Sequence, residues 1–196
     1  MPESAMLRFV QILPQVFPKG DFLLKDLPGS GKRIDVLCRD LAACFDWGPT
    51  SWSKSHLEMI AVIGNVKILT FRDPQDQTPR GEVGWASMIR DSLREQPPSF
   101  VDVSDGTLED VIKRLNQSGD SNLWVLDEEG VNLSDIKAIH PVTQNSFILG
   151  NHRGFDSEAE GIISQYNIQR ISLGGKSYLS SHCLAAIISE FERMVR

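Results

Sequence analysis

The stretch FILGNHRGFDSEAEGIISQYNIQRISLGGKSYLSSHCLAAII, Phe147 to Ile188, decides the fold of this 196-residue chain. Phe147 to Leu149 is a short apolar run bounded by glycine, the pattern of a buried strand. Ser157 to Tyr166 carries helical spacing, Ile168 to Leu173 is again strand-like, and Leu179 to Met194 is a long helical stretch. Strand, helix, strand, helix in this rhythm predicts an α/β fold with a mostly parallel sheet flanked by helices. The final helix carries Leu184, Ala185, Ile187, Ile188, Phe191, Met194 and Val195. That apolar arc is broader than one stripe against one sheet requires. It points to a second partner surface, a copy of the same chain, or to a deeply buried terminal helix.

Working outward, Met6 to Leu13 is β-branched and apolar and stops at Pro14, the pattern of an opening strand. Ile34, Leu37, Cys38, Leu41 and Phe45 recur every three or four residues, predicting an amphipathic helix that ends before Gly48 and Pro49. Leu57 to Ile63 and Val66 to Phe71 flank Gly64-Asn65, a dipeptide that tolerates the positive φ angles of a tight hairpin. Glu82 to Arg94 reads as a helix stopped by Pro97-Pro98. Thr107 with Asp110 forms a capping pattern before Val111, Ile112 and Leu115. Short strands are expected at Phe100 to Val103 and Leu123 to Leu126. No repeat or long linker interrupts the chain, so residues 1–196 are expected to form one domain.

Composition narrows the function classes. Hydrophobic residues are 41% and charged residues 23% of the chain, ordinary for a folded α/β protein. Cys38, Cys44 and Cys183 form no C-x-x-C pair, which argues against a disulfide framework or a zinc site and suits a reducing compartment. No run approaches the length of a membrane span, and MPESAMLRFV lacks a basic region followed by a long apolar one, so a cytoplasmic location is expected. The net charge of -6 weighs against a polyanionic partner. Residues 19–39, however, carry Lys19, Lys25, Lys32, Arg33 and Arg39 against Asp21, Asp26 and Asp35, and residues 151–196 balance. The acidity lies in the middle, leaving both ends able to build a neutral or basic surface.

Three familiar motifs fail on inspection. Pro28 to Arg33 resembles a phosphate loop, but Asp26 stands where glycine is needed and Arg33 where Ser or Thr is needed. No G-x-G-x-x-G follows a strand, which leaves Gly150-Asn151-His152-Arg153-Gly154 as a glycine-bounded turn. His182 and Cys183 are adjacent on a helix and point about 100° apart, a poor geometry for a thiol nucleophile and its base. His56 and His140 have no ligand-like neighbours, and no metal is expected.

Two blocks carry more specific information: LLKDLPGSGKRIDVLCRDL, Leu23 to Leu41, and the opening stretch. The first matches L-K-D-L-P-G-S-x-x-R-x-D-x-L-C-R; the second matches G-[DN]-H-x-G, then R-I-S-L and, ten residues later, H-C. Together they resemble the archaeal tRNA pseudouridine-54 N1-methyltransferases of the SPOUT class and their bacterial relatives. The likeness runs nearly end to end, with a poorly matched middle from about Pro49 to Gly119. One departure stands out. The archaeal enzymes carry S-P-L-E-L-H-A-N-H-C in the last loop, where this chain has Gly174 to Cys183, a variant resembling the bacterial branch.

The resemblance implies a SPOUT fold whose C-terminal part, roughly residues 123–196, forms a trefoil knot holding S-adenosylmethionine. Knots are nearly absent from proteins and do not follow from sequence pattern. It further implies a homodimer that methylates a pseudouridine in structured RNA, tRNA foremost, without a metal. Carried over by position, Leu126, Gly150, Leu173, Gly174, Gly175, Leu179 and Cys183 would line the cofactor pocket. The glycines would let backbone groups approach the adenine edge, the leucines would pack on its faces, and Cys183 would lie against the methionine part. The alternatives are glycines that only make turns and a buried core thiol. In the first block, Arg33 and Asp35 are the catalytic candidates, Asp35 orienting or deprotonating the base. Asp26, Ser30, Lys32 and Arg39 are candidates for holding RNA. The competing reading is a polar cluster that fixes a loop against a dimer partner. A non-catalytic RNA-binding or cofactor-sensing module is the rival function.

Overall fold

The computed structural model describes residues 5–47, 52–117 and 121–195. Gly48 and Pro49, expected to stop the first helix, lie outside them. Seven strands form one sheet: β1 (Met6–Leu13), β2 (Leu57–Ile63), β3 (Lys67–Phe71), β4 (Val101–Asp105), β5 (Ser121–Asn132), β6 (Gln144–Leu149) and β7 (Gln169–Ser172). Their order is β4-β3-β2-β1-β6-β5-β7. β1 pairs in parallel with both β2 and β6, and β5 pairs in parallel with both β6 and β7. β3 and β4 extend the sheet antiparallel. The expected mostly parallel α/β architecture is what the chain adopts.

The helices are α1 (Ile34–Phe45), α2 (Gly81–Leu93), α3 (Leu108–Gln117), α4 (Ser157–Gln165) and α5 (Ser180–Met194). Successive strand residues point to opposite faces, and the core divides accordingly. Phe9, Met59 and Phe147 face a layer made of α1, α2 and α5, whereas Val10, Ile60 and Ile148 face α3 and α4. With both faces covered, β2 is buried along its whole length, which explains its apolar run from Met59 to Ile63. Local signals agree with the tertiary result. Gly64 and Asn65 adopt φ of +57° and +52° at the β2–β3 turn. The Thr107 N–H donates to Asp110 Oδ2 at 2.9 Å and the Asp110 N–H donates to Thr107 Oγ1 at 3.3 Å, closing the cap of α3.

Helix α5 is seated on the sheet by aromatic contacts. Phe191 meets Phe147 edge-on at 6.1 Å and Trp52 edge-on at 5.6 Å, and Phe147 stacks on Phe9. Leu184, Ile187, Ile188 and Phe191 are buried within the chain, so packing on α1 and the sheet consumes most of the broad apolar arc. Met194 and Val195 remain exposed.

The sequence reading undersized β5. The strand runs on past Leu126 through an acidic stretch, and Leu126 and Val131 both register with Ile171 of β7. Residues 127–130 arch over that position. A Cβ on Gly130 would lie 2.6 Å from the Ile171 backbone, so only glycine permits the approach. Charged Asp127, Glu128 and Glu129 conceal a strand that is bent and half exposed.

Candidate active site

Because β5, β6 and β7 are parallel, the loops that follow them emerge at the same end of the sheet, where ligands of open α/β sheets bind. They enclose a cavity of about 720 Å³. One wall is the turn after β6. Gly150 is pressed so close to Gly154 that a Cβ would sit 2.7 Å from the Gly154 carbonyl carbon. The Asn151 and Gly154 backbones pair with each other, and buried Gln11 of β1 donates from Nε2 to the Gly150 carbonyl at 2.9 Å. A second wall is the segment from β7 to α5. The Ser172 hydroxyl donates to the Gly174 carbonyl and accepts from the Gly174 N–H, folding the loop back on itself, and Gly174 has φ +143°. Leu126, Leu149, Ile171 and Leu173 supply apolar surface, and Leu179 and Cys183 close the end nearest α5.

Burial pushes the Cys183 thiol up to about 11, and the charges of Asp40 and Glu128 add to the shift. It is therefore a neutral packing group near pH 7 and no thiolate nucleophile. His182 is exposed and takes no place in the cavity lining.

The opposite wall comes from the start of α1, which contributes Arg33, Val36 and Arg39. Lys32 and Arg33 both hold left-handed backbone, φ +49° and +71°, directly before the helix. For residues with side chains this conformation costs on the order of 1 kcal/mol each, and it turns the Arg33 side chain back toward Asp35. Arg33 grips Asp35 with two bonds, Nε to Oδ1 at 3.0 Å and Nη2 to Oδ2 at 3.1 Å. Arg39 adds Nη2 to Oδ2 at 2.7 Å and also reaches Glu82 of α2. The Asp35 side chain is 3% exposed, against 35% for Arg33 and 31% for Arg39. Burial raises its carboxyl pKa, but the bonds and charges of the two arginines outweigh that, and the value stays below the ordinary carboxylate range. Asp35 stands behind the arginines and outside the lining.

Of the residues expected to bind cofactor, Leu126, Gly150, Leu173, Gly174, Leu179 and Cys183 line the cavity, and Gly175 does not. Of the first-block candidates, Arg33 and Arg39 line it. Asp26 and Ser30 instead build their own loop: Asp26 accepts from the Gly29 and Ser30 N–H groups, and Ser30 bonds to Asp26 and Leu23 backbone. Lys32 borders a small adjoining crevice with Asn151 and His152. Sequence reasoning missed Gln11, which looks like one polar residue in an apolar strand. It also missed Arg170, which pairs with Asp127 and Glu160 at the acidic side of the cavity. The R of the R-I-S-L motif was the available signal.

The sequence profile of a family described as "Putative SAM-dependent RNA methyltransferase" matches residues 81–195, more than half of the chain. The tRNA (pseudouridine(54)-N(1))-methyltransferase of Thermococcus kodakarensis is 31% identical over 184 residues, covering 85% of this chain and 89% of that protein. The chain belongs to this methyltransferase family. Another member, from Thermococcus onnurineus, is 30% identical and covers 93% of this chain and 95% of its own length. Both relatives are archaeal. The fold of this family member is shared with Archaeoglobus fulgidus Nep1, solved bound to S-adenosylhomocysteine, at a TM-score of 0.66 and 15% identity over 98% of this chain and 99% of that one. Among the described residues no helix is long and apolar enough to cross a membrane, and no group of three or more His, Cys, Asp or Glu side chains is placed to hold a metal.

Proposed function

We propose that this chain transfers a methyl group from S-adenosylmethionine to N1 of a pseudouridine in tRNA. The observation that carries the reading is the strand-end cavity itself, one wall of it glycine backbone and aliphatic side chains, in a chain of this family. The residues fit the cofactor. Gly150 and Gly174 present bare backbone, Leu126, Leu149, Leu173 and Ile171 suit the faces of an adenine, and neutral Cys183 suits the methionine part. When bound, S-adenosylmethionine supplies an electrophilic methyl group on a positively charged sulfur.

The chain's own work is alignment, since in-line transfer needs the acceptor nitrogen held opposite the methyl group. Arg33, Arg39, Arg153 and Lys176 line the cavity alongside Asp127, Glu128 and Glu160, and the four cations give it a partly cationic rim despite the net acidity of the chain. That rim suits tRNA phosphate. Arg33 and Arg39 hold the nucleotide, and Asp35 keeps both guanidinium groups oriented. With its proton affinity lowered, Asp35 is a better orienting group than proton acceptor.

The same reading extends to assembly. We place the whole chain in one cytoplasmic domain with a trefoil knot near its C-terminus. Support for the knot is the path: residues 127–130 arch over Ile171 of edge strand β7, and the chain then returns to pack α5 on α1. A homodimer is supported by exposed Met194 and Val195 at the end of α5, the part of the apolar arc that packing within the chain leaves uncovered.

The test is a calorimetric titration with S-adenosylmethionine, followed by incubation with tRNA bearing pseudouridine at position 54 and nucleoside mass spectrometry. Stoichiometric binding and the appearance of 1-methylpseudouridine are expected. Binding without methylated nucleoside would favour a non-catalytic, cofactor-sensing module.

A further inference from the structure

Asp40 is the least comfortable side chain in the molecule. It lies on α1, fully buried, one residue after cavity-lining Arg39. Its Oδ1 accepts a 2.7 Å hydrogen bond from the hydroxyl of Ser180, the first residue of α5. Its Oδ2 is buried without a hydrogen-bond partner among the described residues. A buried carboxylate with an idle oxygen is costly and is kept for a reason other than packing.

The surroundings suggest that reason. Ser180 and Cys183 both line the cavity, and Asp40 lies behind them. Its charge is felt at Cys183, whose thiol it helps to push up, and at Cys44 on the other side. Burial lifts the Asp40 carboxyl to about 7, opposed by the Ser180 bond and the Arg39 charge and reinforced by Asp35. Glu82 of α2 pairs with Arg39, the nearest cation to the group. The carboxylate thus gains its charge as pH rises through neutrality, inside a poorly screened layer beneath the cavity floor.

We propose that Asp40, acting through the Ser180 and Cys183 end of the cavity, is a positioning residue whose buried negative charge makes the site favour cationic S-adenosylmethionine over its neutral product. This rests on the cavity being the cofactor site. S-adenosylmethionine and S-adenosylhomocysteine share the adenosine, the carboxylate and the amino group and differ by one methyl group and the sulfonium charge. Their affinity ratio therefore isolates what a nearby charge contributes.

The experiment measures dissociation constants of both ligands by calorimetry between pH 6 and 8.5, without tRNA. For the unmodified protein, preference for S-adenosylmethionine rises across this range, by roughly ten-fold. In Asp40→Asn the rise disappears and the preference at pH 8.5 drops by a similar factor, with S-adenosylhomocysteine affinity nearly unchanged. Ser180→Ala removes a hydrogen bond that favours the charged carboxylate, so in that variant the rise in preference moves to higher pH instead of disappearing as it does in Asp40→Asn. Equal loss of both ligands in Asp40→Asn would reduce Asp40 to a structural latch and overturn the proposal. So would a pH-independent ratio in the unmodified protein, a measurement that does not depend on the variant folding. If the unmodified protein binds neither ligand, the methyltransferase reading falls first and this one with it.

Discussion

The wall formed by Gly150, Leu173 and Gly174 offers the cavity backbone and aliphatic surface, whereas the wall formed by the start of α1 offers the guanidinium groups of Arg33 and Arg39. The first wall is fixed by close approach: Gly150 against Gly154, the Gly150 carbonyl taken by Gln11, Ser172 folded onto Gly174. The second is fixed by charge, with Asp35 buried between two half-exposed arginines. A wall made of backbone has little rotamer freedom to lose when a ligand arrives, and so suits a ligand that is the same in every turnover. Long cationic side chains adapt to the uneven surface of a folded RNA. The difference is the basis for the proposal that the first wall holds cofactor and the second tRNA.

The sharpest way to break this comparison is to put a side chain into the backbone wall. Gly150→Val forces atoms into the Gly154 backbone, which has no flexible end to move aside. The turn must open, and affinity for S-adenosylmethionine is expected to fall at least 100-fold, about 2.7 kcal/mol or more. Calorimetry reads the loss, and circular dichroism should show the fold retained, because the turn lies outside the sheet.

The charged wall should fail differently. Asp35→Asn leaves Arg33 and Arg39 without the carboxylate that gathers them. Both arginines are about one-third exposed, so solvent screens part of the loss, and the cost in stability is about 1–2 kcal/mol. Methylation of tRNA should slow by roughly ten-fold with cofactor affinity within about two-fold, since only the RNA-facing wall has changed. Acid titration separates the folding part. A carboxyl held below its ordinary value contributes stability that is present above that value and lost as pH falls through the lowered one, so this share of acid unfolding should be missing in the variant. An unchanged methylation rate in a folded variant would remove Asp35 from the function.

How far sequence anticipates each wall depends on what holds it. β1, α1 and the β2–β3 hairpin carry strong periodicity or turn chemistry, and the structure places them at the expected residues. The backbone wall was reached through the family resemblance, because residue pattern alone leaves Gly150 to Gly154 as a glycine-bounded turn. The charged wall was legible only in part: Asp26, Ser30, Arg33 and Asp35 share one polar segment, and composition does not tell which carboxylate shapes a loop and which orients an arginine. Asp40 was invisible for the opposite reason. Beside Arg39 it looks like one half of a solvated pair, and only tertiary packing reveals that it is buried against Ser180. The length of β5 was lost because strand periodicity breaks where residues 127–130 leave the sheet to arch over β7.

Sequence pattern also treats the glycines of the backbone wall as equals, and the structure does not. Gly174 sits at φ +143°, where side chains are strained, but Gly175 has no atom within 4 Å of a Cβ position and no left-handed backbone. Gly175→Ala should therefore be the mildest change in the region. Removing a glycine stiffens the unfolded chain by a few tenths of a kcal/mol, which offsets any small loss in the folded loop. Affinity for S-adenosylmethionine should move by less than about two-fold, and the unfolding free energy by no more than about 0.5 kcal/mol. A ten-fold loss would mean that the loop after β7 closes over the cofactor through Gly175, and that this wall is mobile where Gly150 makes it rigid.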